Sequence, residues 1–438
     1  MINTHELKKR DIYLNKIIAF QDTEPVKVVT GIRRCGKSSI LKLMALHLKE
    51  CGIAEEQILE MNFESYAFKD MTSDTFYEYV REHIIKDKRM YLFFDEVQRV
   101  PNWENAINAF QVDFDCDIYV TGSNAYMLSS EYATYLSGRC VEIKMLPLSF
   151  SEFISFYNFE VRETQSALGG TRKQAFDKNG EHYELKEVFD AYMRFGGMPG
   201  IADIGLDQEK AFVLLEGIYS TVIMRDILER ENRRGKKHIT DPILLKKIVM
   251  FLADNIGSSI SVSSIGNTLE NEGLLENGRR KGTPSAHTVQ AYVDALLESY
   301  FFYDIKRFDI KGKEYLRTLG KYYIVDIGLR NYLLGFRDRD SGHAIENIVF
   351  FELIRRGYDV AIGKVDNSEI DFIATKADDK IYVQVTESMT SEDVRKRELA
   401  PLQKVNDNYE KIVLSLNPGL DSSYDGIKSI NLIDWLIS

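Results

Sequence analysis

The chain has 438 residues, of which 44% are hydrophobic, and it carries a formal net charge of −11 at pH 7. This length gives room for about three domains of roughly 150 residues each, and the apolar fraction is that of a folded globular protein. The negative charge argues against a protein that coats nucleic acid or an anionic membrane as a whole, so a nucleic-acid contact would have to come from a local basic patch.

The four cysteines form no CxxC pair, and a chain of this size does not need disulfides for its stability. The first residues, from Met1 to Glu6, are polar and lack the apolar core of a signal peptide. No apolar run reaches the ~18 residues that a transmembrane helix needs. These features predict a soluble, cytoplasmic protein without a membrane partner.

A glycine-rich motif near the N-terminus follows a β-branched run at residues 26–30 and precedes an apolar helix pattern. It fits the phosphate-loop signature G-x-x-x-x-G-K-[ST] in its required strand, loop and helix context, although Gly-Lys-Ser also occurs in ordinary turns. Its glycines let backbone N–H groups turn inward around phosphate oxygens. Lys37 would reach the β and γ phosphates, and Ser38 would hold Mg²⁺. We therefore predict that ATP and Mg²⁺ are bound by Gly31, Ile32, Arg33, Arg34, Cys35, Gly36, Lys37, Ser38 and Ser39.

The apolar run at residues 90–94 ends in two acids, Asp95 and Glu96. This pattern is typical of a buried parallel strand that delivers carboxylates to the edge where α/β sheets bind ligands. Asp95 would position Mg²⁺ through its water shell, and Glu96 would polarise the water that attacks the γ-phosphate. The position of the pair, about fifty residues after a P-loop strand, strengthens this interpretation.

The next strand pattern, at residues 117–121, ends in small polar side chains. In P-loop ATPases of the additional-strand class, the corresponding strand lies between the acidic strand and the P-loop strand and presents a polar side chain to the γ-phosphate. Asn124 is the main candidate for this sensor, with Thr121 and Ser123 as alternatives. An N-cap of the following helix is a second interpretation, and the two are compatible.

Arg139 directly precedes the fifth strand pattern, where ring-forming ATPases often place an arginine that reaches the γ-phosphate of a neighbouring subunit. A solvated or salt-bridged surface arginine is an equally weighted alternative. Two helical segments then follow, separated by a polar stretch at residues 169–180 that we expect to be a mobile loop. Pro199 lies in a Gly-x-Pro motif that abuts the adenine in some ATPases, and a simple helix stop is the alternative.

A basic cluster at residues 225–239 ends the next helical pattern, and it is either a solvated helix end or a local DNA-binding patch. The order of helices and strands over residues 240–340 then matches a winged helix. A protein-docking module of the same fold is the alternative, since the second helix of its helix-turn-helix also carries two acids. The residues expected to face DNA are Thr288, Gln290, Tyr292, Lys311 and Lys313.

The last segment predicts the element order of restriction-endonuclease-like folds: helix, strand, hairpin strand, strand, helix and strand. Glu346 and Asp371 match acidic positions of a nuclease site, and period-two alternation puts Gln384 and Thr386 on one strand face. An active nuclease has an acid and a lysine where this chain has Gln384 and Thr386. Metal-dependent cleavage is therefore not expected unless the lysine role has moved, for which the neighbouring candidates are Lys364, Lys376 and Lys380.

Six segments in the same order resemble a large prokaryotic family of AAA-type ATP-binding proteins whose C-terminal half has no characterised function. They are residues 31–38, 93–98, 121–124, 136–139, 148–153 and 195–199. The resemblance extends over essentially the whole chain and implies an additional-strand P-loop ATPase fold. It implies no single biological role, because the family has none assigned.

We therefore predict an α/β protein with a parallel P-loop ATPase sheet of AAA type and a helical lid, followed by a winged helix and a small α/β nuclease-like domain. ATP binding and hydrolysis would act as a conformational switch, with output onto DNA or a protein partner and with homo-oligomerisation as an option. The alternatives are an ATP-gated DNA-processing nuclease and a signalling scaffold without DNA contact. The predicted divisions are 1–148 for the ATPase core, 149–239 for the helical lid and connecting helices, 240–340 for the winged helix and 341–438 for the degenerate nuclease-like domain.

Overall fold

The computed structural model describes residues 7–123, 138–165, 171–228, 239–271, 284–337, 340–419 and 421–438. The chain forms two compact units. The N-terminal unit comprises Met1–Pro147 and Glu298–Tyr300, and the C-terminal unit comprises Leu148–Leu297 and Phe301–Ser438. The finer four-part division expected from the sequence remains a prediction.

The N-terminal unit is built on a five-stranded parallel sheet with the order β2-β3-β4-β1-β5. Strand β4 lies between the acidic strand β3 and the P-loop strand β1, as the sequence predicts for the additional-strand class. Every residue of β1 and β3 is buried, which fits their continuous apolar runs. The strands are β1 (Val26–Thr30), β2 (Ile58–Asn62), β3 (Met90–Asp95), β4 (Cys116–Gly122) and β5 (Cys140–Lys144).

Four helices accompany this sheet within the described part of the unit. They are α1 (Asp11–Ile18), α2 (Lys37–Glu50), α3 (Ser73–His83) and α4 (Trp103–Asp113). Aromatic side chains join the helices to the sheet: the ring of Phe76 on α3 lies 4.8 Å from that of Phe94 and 5.1 Å from that of Phe110. Because β1, β3 and β4 are parallel, their carboxyl ends lie at one edge of the sheet.

The C-terminal unit contains an eight-stranded mixed sheet with the order β10-β9-β11-β12-β13-β14-β16-β15 and a three-stranded antiparallel sheet β6-β7-β8. The eight strands that form the larger sheet are β9 (Phe302–Asp309), β10 (Glu314–Ile324), β11 (Asp359–Val365), β12 (Ser368–Lys376), β13 (Asp379–Ser388), β14 (Glu410–Asn417), β15 (Ser423–Tyr424) and β16 (Ile427–Asn431). The smaller sheet comprises β6 (Glu160–Gln165), β7 (Thr171–Phe176) and β8 (His182–Glu184).

The helices of the C-terminal unit surround these sheets. In the described residues they are α5 (Phe150–Phe156), α6 (Leu185–Phe195), α7 (Pro199–Ile204), α8 (Gln208–Tyr219), α9 (Pro242–Asp254), α10 (Val262–Asn271), α11 (Ala286–Glu298), α12 (Ile327–Leu334), α13 (Ser341–Arg355), α14 (Glu392–Gln403) and α15 (Leu432–Leu436), and a π-helix runs over Ser220–Ile227. No helix in these described segments is both long and apolar enough to cross a membrane.

The polar stretch at residues 169–180, which was expected to be mobile, contains a paired strand in its described part. Residues 171–176 form strand β7, in which Ala175 pairs with Val161 and Gln174 pairs with Glu184. Ala175 and Gln174 are buried although their neighbours are polar. The strand is therefore stabilised by cross-strand pairing, which a polar sequence does not reveal locally.

In the later part of the chain, the predicted helices and hairpin strands are observed in order, but residues 259–262, which were also predicted to form a strand, contribute only an isolated bridge between Ile260 and Gly320. Helices α9, α10 and α11 precede the hairpin β9-β10, and α13, β11, β12, β13, α14 and β14 follow in the expected sequence. The hairpin β9-β10 and the strands that follow α13 belong to one continuous sheet, because β9 pairs in parallel with β11. Assignment of these parts to the winged-helix and restriction-endonuclease folds remains a prediction.

A buried carboxylate, Asp326, anchors the glycine motif that precedes Pro199. Its Oδ1 accepts a hydrogen bond of 3.1 Å from the N–H of Leu329, and its Oδ2 accepts one of 2.6 Å from the N–H of Gly197. A Cβ at Gly196 would lie 2.4 Å from Asp326 Oδ1, so the motif allows no side chain there. Burial raises the pKa of Asp326 to about 6, although the backbone donors oppose the shift.

We expect the stability contributed by Asp326 to fall as the pH rises. The carboxyl group of Asp326 binds its proton more tightly in the folded protein than in the unfolded chain, so the folded state is progressively destabilised as the pH rises from about 4 to above 6. The free energy of unfolding of the wild type, minus that of Asp326→Asn, should therefore fall by about 2 kcal/mol between pH 4 and pH 7. Denaturant unfolding across this range measures the difference.

The matched control is Asp190→Asn, which changes an exposed aspartate of α6. Its stability difference from the wild type should change much less over the same pH range. A difference for Asp326→Asn that is constant with pH would contradict the prediction.

Candidate nucleotide-binding site

The loop between β1 and α2 has a backbone that only glycine accepts at its first position. Gly31 has a φ of +144°, and a Cβ on it would lie 2.1 Å from the carbonyl oxygen of Met145. Gly36 has a φ of +104° and precedes the first residue of α2 without a side-chain cap. The first N–H groups of this 14-residue helix are thus left without a capping side chain, which is the arrangement that binds anions at helix N-termini.

The side chain of Lys37 lies over this loop and is only 4% exposed. Its Nζ donates hydrogen bonds to the carbonyl oxygens of Gly31 at 3.1 Å and Ile32 at 3.2 Å. The same nitrogen is 3.8 Å from Oε1 of Glu96. Ser38, the next residue, is exposed at the start of α2. The ammonium group and the helix N-terminus therefore present positive charge at one place.

Asp95 is held by side chains from the two strands beside its own. Its Oδ1 accepts a hydrogen bond of 2.5 Å from the hydroxyl of Thr121, and its Oδ2 accepts one of 2.9 Å from the amide of Asn62. These three residues come from β3, β4 and β2, which end at the same edge of the sheet. The Asp95 carboxylate is consequently fixed in orientation.

Glu96 follows with a left-handed backbone, at a φ of +55°. Its N–H donates to the Thr121 hydroxyl over 2.9 Å. Its Oε2 accepts hydrogen bonds from Gln98 Nε2 at 2.5 Å and from Ser123 Oγ at 3.1 Å. Both acids are buried, so the carboxylates act in a medium that strengthens their interaction with nearby cations.

These residues fit a nucleotide with Mg²⁺. Mg²⁺ is usually held by one or two carboxylates together with phosphate oxygens and water, rather than by a protein-only cage. Asp95 and the Ser38 hydroxyl are the protein groups suited to that role. Within the described ranges, no group of three or more histidine, cysteine, aspartate or glutamate residues could hold a metal by itself.

The structure brings together most of the side chains that the sequence singled out. Lys37, Asp95 and Glu96 converge, and the alternatives Thr121 and Ser123 contact the two acids directly. Asn124, the main sensor candidate, lies outside the described residues. Its role stays a prediction.

The structure also describes two other residues that were predicted to act on the nucleotide, Arg139 and Pro199. Arg139 is exposed just before β5, and its carbonyl oxygen accepts a hydrogen bond of 2.8 Å from the N–H of Val26. Pro199 belongs to the C-terminal unit, where it is the first residue of α7. Roles as an arginine finger and as an adenine contact remain predictions for these residues.

Sequence reasoning missed two polar residues of the site, Asn62 and Gln98. Asn62 ends β2 at the same sheet edge as Asp95, so its position beside the acidic strand was the available signal. Gln98 follows Glu96 by two residues within the short 3-10 turn Val97–Arg99. Neither residue belongs to a recognisable phosphate-binding pattern.

A second cluster of charges lies within the C-terminal unit. The ammonium of Lys321 is 2.9 Å from Glu346 Oε1 and 2.8 Å from Glu369 Oε1, and the hydroxyl of Tyr323 donates to Glu346 Oε1 over 2.6 Å. Desolvation and the Glu346 carboxylate raise the pKa of Asp371 well above its usual value. Burial alone would lower the pKa of Lys321, but these carboxylates together raise it.

In the described part of the chain, the side chains of the three lysines proposed for a nuclease role have other partners, although Lys364 lies opposite Glu369 in the pairing of β11 with β12. Lys364 lies 3.5 Å from Asp309, Lys376 donates to the Arg356 carbonyl oxygen, and Lys380 lies over the ring of Tyr409. The lysine that contacts the acids in the structure is Lys321. It lies far from them in the sequence, so no local pattern indicated that it belongs to this cluster. Gln384 uses its amide nitrogen to bind Glu398 over 3.1 Å.

The predicted DNA-contacting residues have mixed positions. Tyr292 is buried, and its hydroxyl accepts hydrogen bonds from the N–H groups of Thr240 and Asp241, so it is not an exposed contact. Gln290 is exposed and donates to Asp294 over 2.7 Å. The basic cluster predicted at residues 225–239 lies mostly outside the described residues.

Comparison with known proteins gives two family matches. An AAA domain matches residues 23–154, and a domain of unknown function (DUF8612) matches residues 186–340. An uncharacterised protein of Haemophilus influenzae is 38% identical over 430 residues, which cover 98% of this chain and 98% of that protein. An uncharacterised protein of Methanocaldococcus jannaschii is 28% identical over 410 residues, which cover 92% of this chain and 84% of that protein.

Two solved structures are similar to this chain at lower sequence identity. The Thermotoga maritima RuvB Holliday junction branch migration motor is 12% identical, with 67% of this chain and 89% of RuvB covered and a TM-score of 0.31. The Aeropyrum pernix Orc1 protein, solved in complex with DNA, is 11% identical, with 74% of this chain and 91% of Orc1 covered and a TM-score of 0.29.

Proposed function

Because this chain belongs to the same family as the uncharacterised Haemophilus influenzae protein, and because its residues 23–154 form an AAA domain, we propose that it is a Mg²⁺-dependent ATPase. The observation that supports this proposal best is the convergence of Lys37, Asp95 and Glu96 at the end of the P-loop. The loop and helix N-terminus would bind the phosphates, and the two carboxylates have different partners. That difference suits two different roles.

Each role follows from the surroundings of the group. Lys37 would exchange its two carbonyl partners for phosphate oxygens, which are stronger acceptors. Asp95, fixed by two hydrogen-bond donors, would hold the water shell of Mg²⁺ together with Ser38. One carboxylate oxygen of Glu96 accepts hydrogen bonds from Gln98 and Ser123. The other lies 3.8 Å from Lys37 Nζ, beyond hydrogen-bonding distance. Glu96 would take the proton of the water that attacks the γ-phosphate.

Nucleotide turnover would drive a conformational switch whose output passes through the C-terminal unit to a DNA or protein partner. Two of the α11 residues expected to face DNA are engaged within the protein, since Tyr292 is buried and Gln290 donates to Asp294, so a protein partner is kept as an alternative to DNA. Titration with duplex DNA at several salt concentrations distinguishes the two. Affinity that falls steeply with salt favours DNA, and the absence of binding at low salt favours a protein partner.

Lys37→Ala and Glu96→Gln should separate binding from hydrolysis. Loss of one charge-assisted hydrogen bond should weaken ATP binding by Lys37→Ala about 10- to 100-fold. Glu96→Gln should bind ATP and lose turnover by about 10²- to 10⁴-fold, because only the proton acceptor is removed. Fluorescent-nucleotide titration and phosphate release measure the two quantities.

Lys42→Ala is the matched control, since Lys42 is an exposed lysine on the same helix as Lys37. It should retain ATP binding and turnover. An equal loss of ATP binding in Lys37→Ala and Glu96→Gln would refute the assigned roles.

Arg139→Ala tests whether this exposed arginine acts on the γ-phosphate of a neighbouring subunit. An arginine finger contributes roughly 10³- to 10⁵-fold to the rate, so the variant should bind ATP normally and hydrolyse it far more slowly. Mixing it with Lys37→Ala protein, which keeps Arg139, should restore part of the activity. Arg81→Ala, an exposed arginine of α3 paired with Glu78, is the control. No rescue, with a monomeric protein at the assay concentration, would exclude action between subunits.

We expect the C-terminal unit not to cut nucleic acid. A metal-dependent nuclease needs carboxylates that are available to the metal and a cation that stabilises the developing charge. Here Lys321 is already bonded to Glu346 and Glu369, and the Gln384 amide faces Glu398. Incubation with single- and double-stranded DNA and RNA in Mg²⁺ or Mn²⁺, with and without ATP, tests this expectation. Cleavage that is lost in Asp371→Ala would overturn it and favour an ATP-gated nuclease.

A further inference from the structure

Among the described residues, Gln98 is the closest hydrogen-bond partner of the Glu96 carboxylate. Its Nε2 donates to Glu96 Oε2 over 2.5 Å, and the hydroxyl of Ser123 donates to the same oxygen over 3.1 Å. Gln98 occupies the short turn Val97–Arg99 that begins directly after Glu96. The left-handed backbone of Glu96 brings a side chain two residues further along back onto the carboxylate.

The other oxygen of this carboxylate faces a cation without closing onto it. Glu96 Oε1 is 3.8 Å from Lys37 Nζ, which is longer than an ordinary N–H···O hydrogen bond of about 2.7–3.2 Å. Both side chains are buried, so their attraction is screened only weakly. If the two groups formed a tight ion pair, Lys37 could no longer bind the phosphates and Glu96 could no longer accept a proton from the attacking water. Gln98 and Ser123 hold the carboxylate through its other oxygen, Oε2.

The orientation of the Gln98 amide follows from this contact. The nitrogen must face the carboxylate, because the carbonyl oxygen would be repelled by it. Gln98 Oε1 is therefore turned to the other side, where it is buried and has no hydrogen-bond partner among the described residues. A buried acceptor of this kind is uncommon, and a water molecule in the site would satisfy it.

We propose that Gln98 is a positioning residue for ATP hydrolysis: its amide N–H holds Glu96 away from Lys37, and its carbonyl oxygen accepts a hydrogen bond from water that enters the site. This inference rests on the proposed ATPase function. In the reaction, the water oxygen attacks the γ-phosphorus while Glu96 takes one of its protons. The bond from the γ-phosphorus to the oxygen bridging it to the β-phosphate breaks, and ADP and inorganic phosphate form. Gln98 neither gains nor loses a proton.

Three variants test the inference by steady-state kinetics with ATP and Mg²⁺. Gln98→Ala should lower kcat by about 10- to 100-fold, a part of the effect of a general base, and should change KM for ATP by less than about threefold. Gln98→Glu should be slower still, because a second carboxylate would repel Glu96. Gln111→Ala is the matched control. Gln111 is also half-buried, with a buried carbonyl oxygen that lacks a partner in the described chain, but it lies on α4 with its amide on the Glu24 carbonyl oxygen.

The readouts separate positioning from a merely structural role. A structural role would lower the thermal midpoint of Gln98→Ala and would affect kcat and nucleotide binding together. Equal kcat values for Gln98→Ala and the wild type, or a Gln98→Glu variant faster than Gln98→Ala, would overturn this inference while leaving the ATPase proposal intact. A wild type that binds no ATP or does not hydrolyse it would remove both.

Discussion

The hydroxyl of Thr121 connects the parts of the candidate site. It donates to Asp95 Oδ1 over 2.5 Å and accepts the N–H of Glu96 over 2.9 Å. One side chain thus sets the orientation of the first carboxylate and the backbone of the second acid. The left-handed conformation of Glu96, which is costly for a residue with a Cβ, is supported by this bond. Removing it would release Glu96 and the turn that carries Gln98.

This arrangement depends on the insertion of β4 between β3 and β1. Phe94 pairs with Val120 on one side of β4, and Thr30 pairs with Gly122 on the other. At the opposite end of the same strands, the buried ammonium of Lys27 bonds to Asp117, whose other oxygen accepts from the Tyr119 hydroxyl. A buried ion pair contributes little net stability but disfavours alternative pairings. We infer that it helps to keep β1 and β4 in the register that aligns the P-loop with Thr121.

Local sequence patterns were sufficient to predict the P-loop and the acidic strand. The P-loop and the acidic strand have characteristic residues at fixed spacing, and the predicted position of β4 between their strands is confirmed. Strand β7 was missed because its residues are polar and its stability comes from pairing with distant residues. Tyr292 was expected on an exposed face, but it lies on the buried stripe of α11 with Val289, Val293 and Leu296. Helical periodicity alone does not show which face packs inward.

The buried arrangements of Lys37 in the N-terminal unit and Lys321 in the C-terminal unit differ in one decisive respect. Lys321 is in direct contact with Glu346 and Glu369 at 2.9 and 2.8 Å, and so its charge is neutralised inside the fold. Lys37 and Glu96 remain 3.8 Å apart, with hydrogen bonds drawing each group away from the other. A closed pair loses much of its stabilisation if either member is recruited by a ligand, whereas a pair held open can bind phosphate and water at small cost. The geometry therefore favours chemistry in the N-terminal unit and a structural role for the charges of the C-terminal unit.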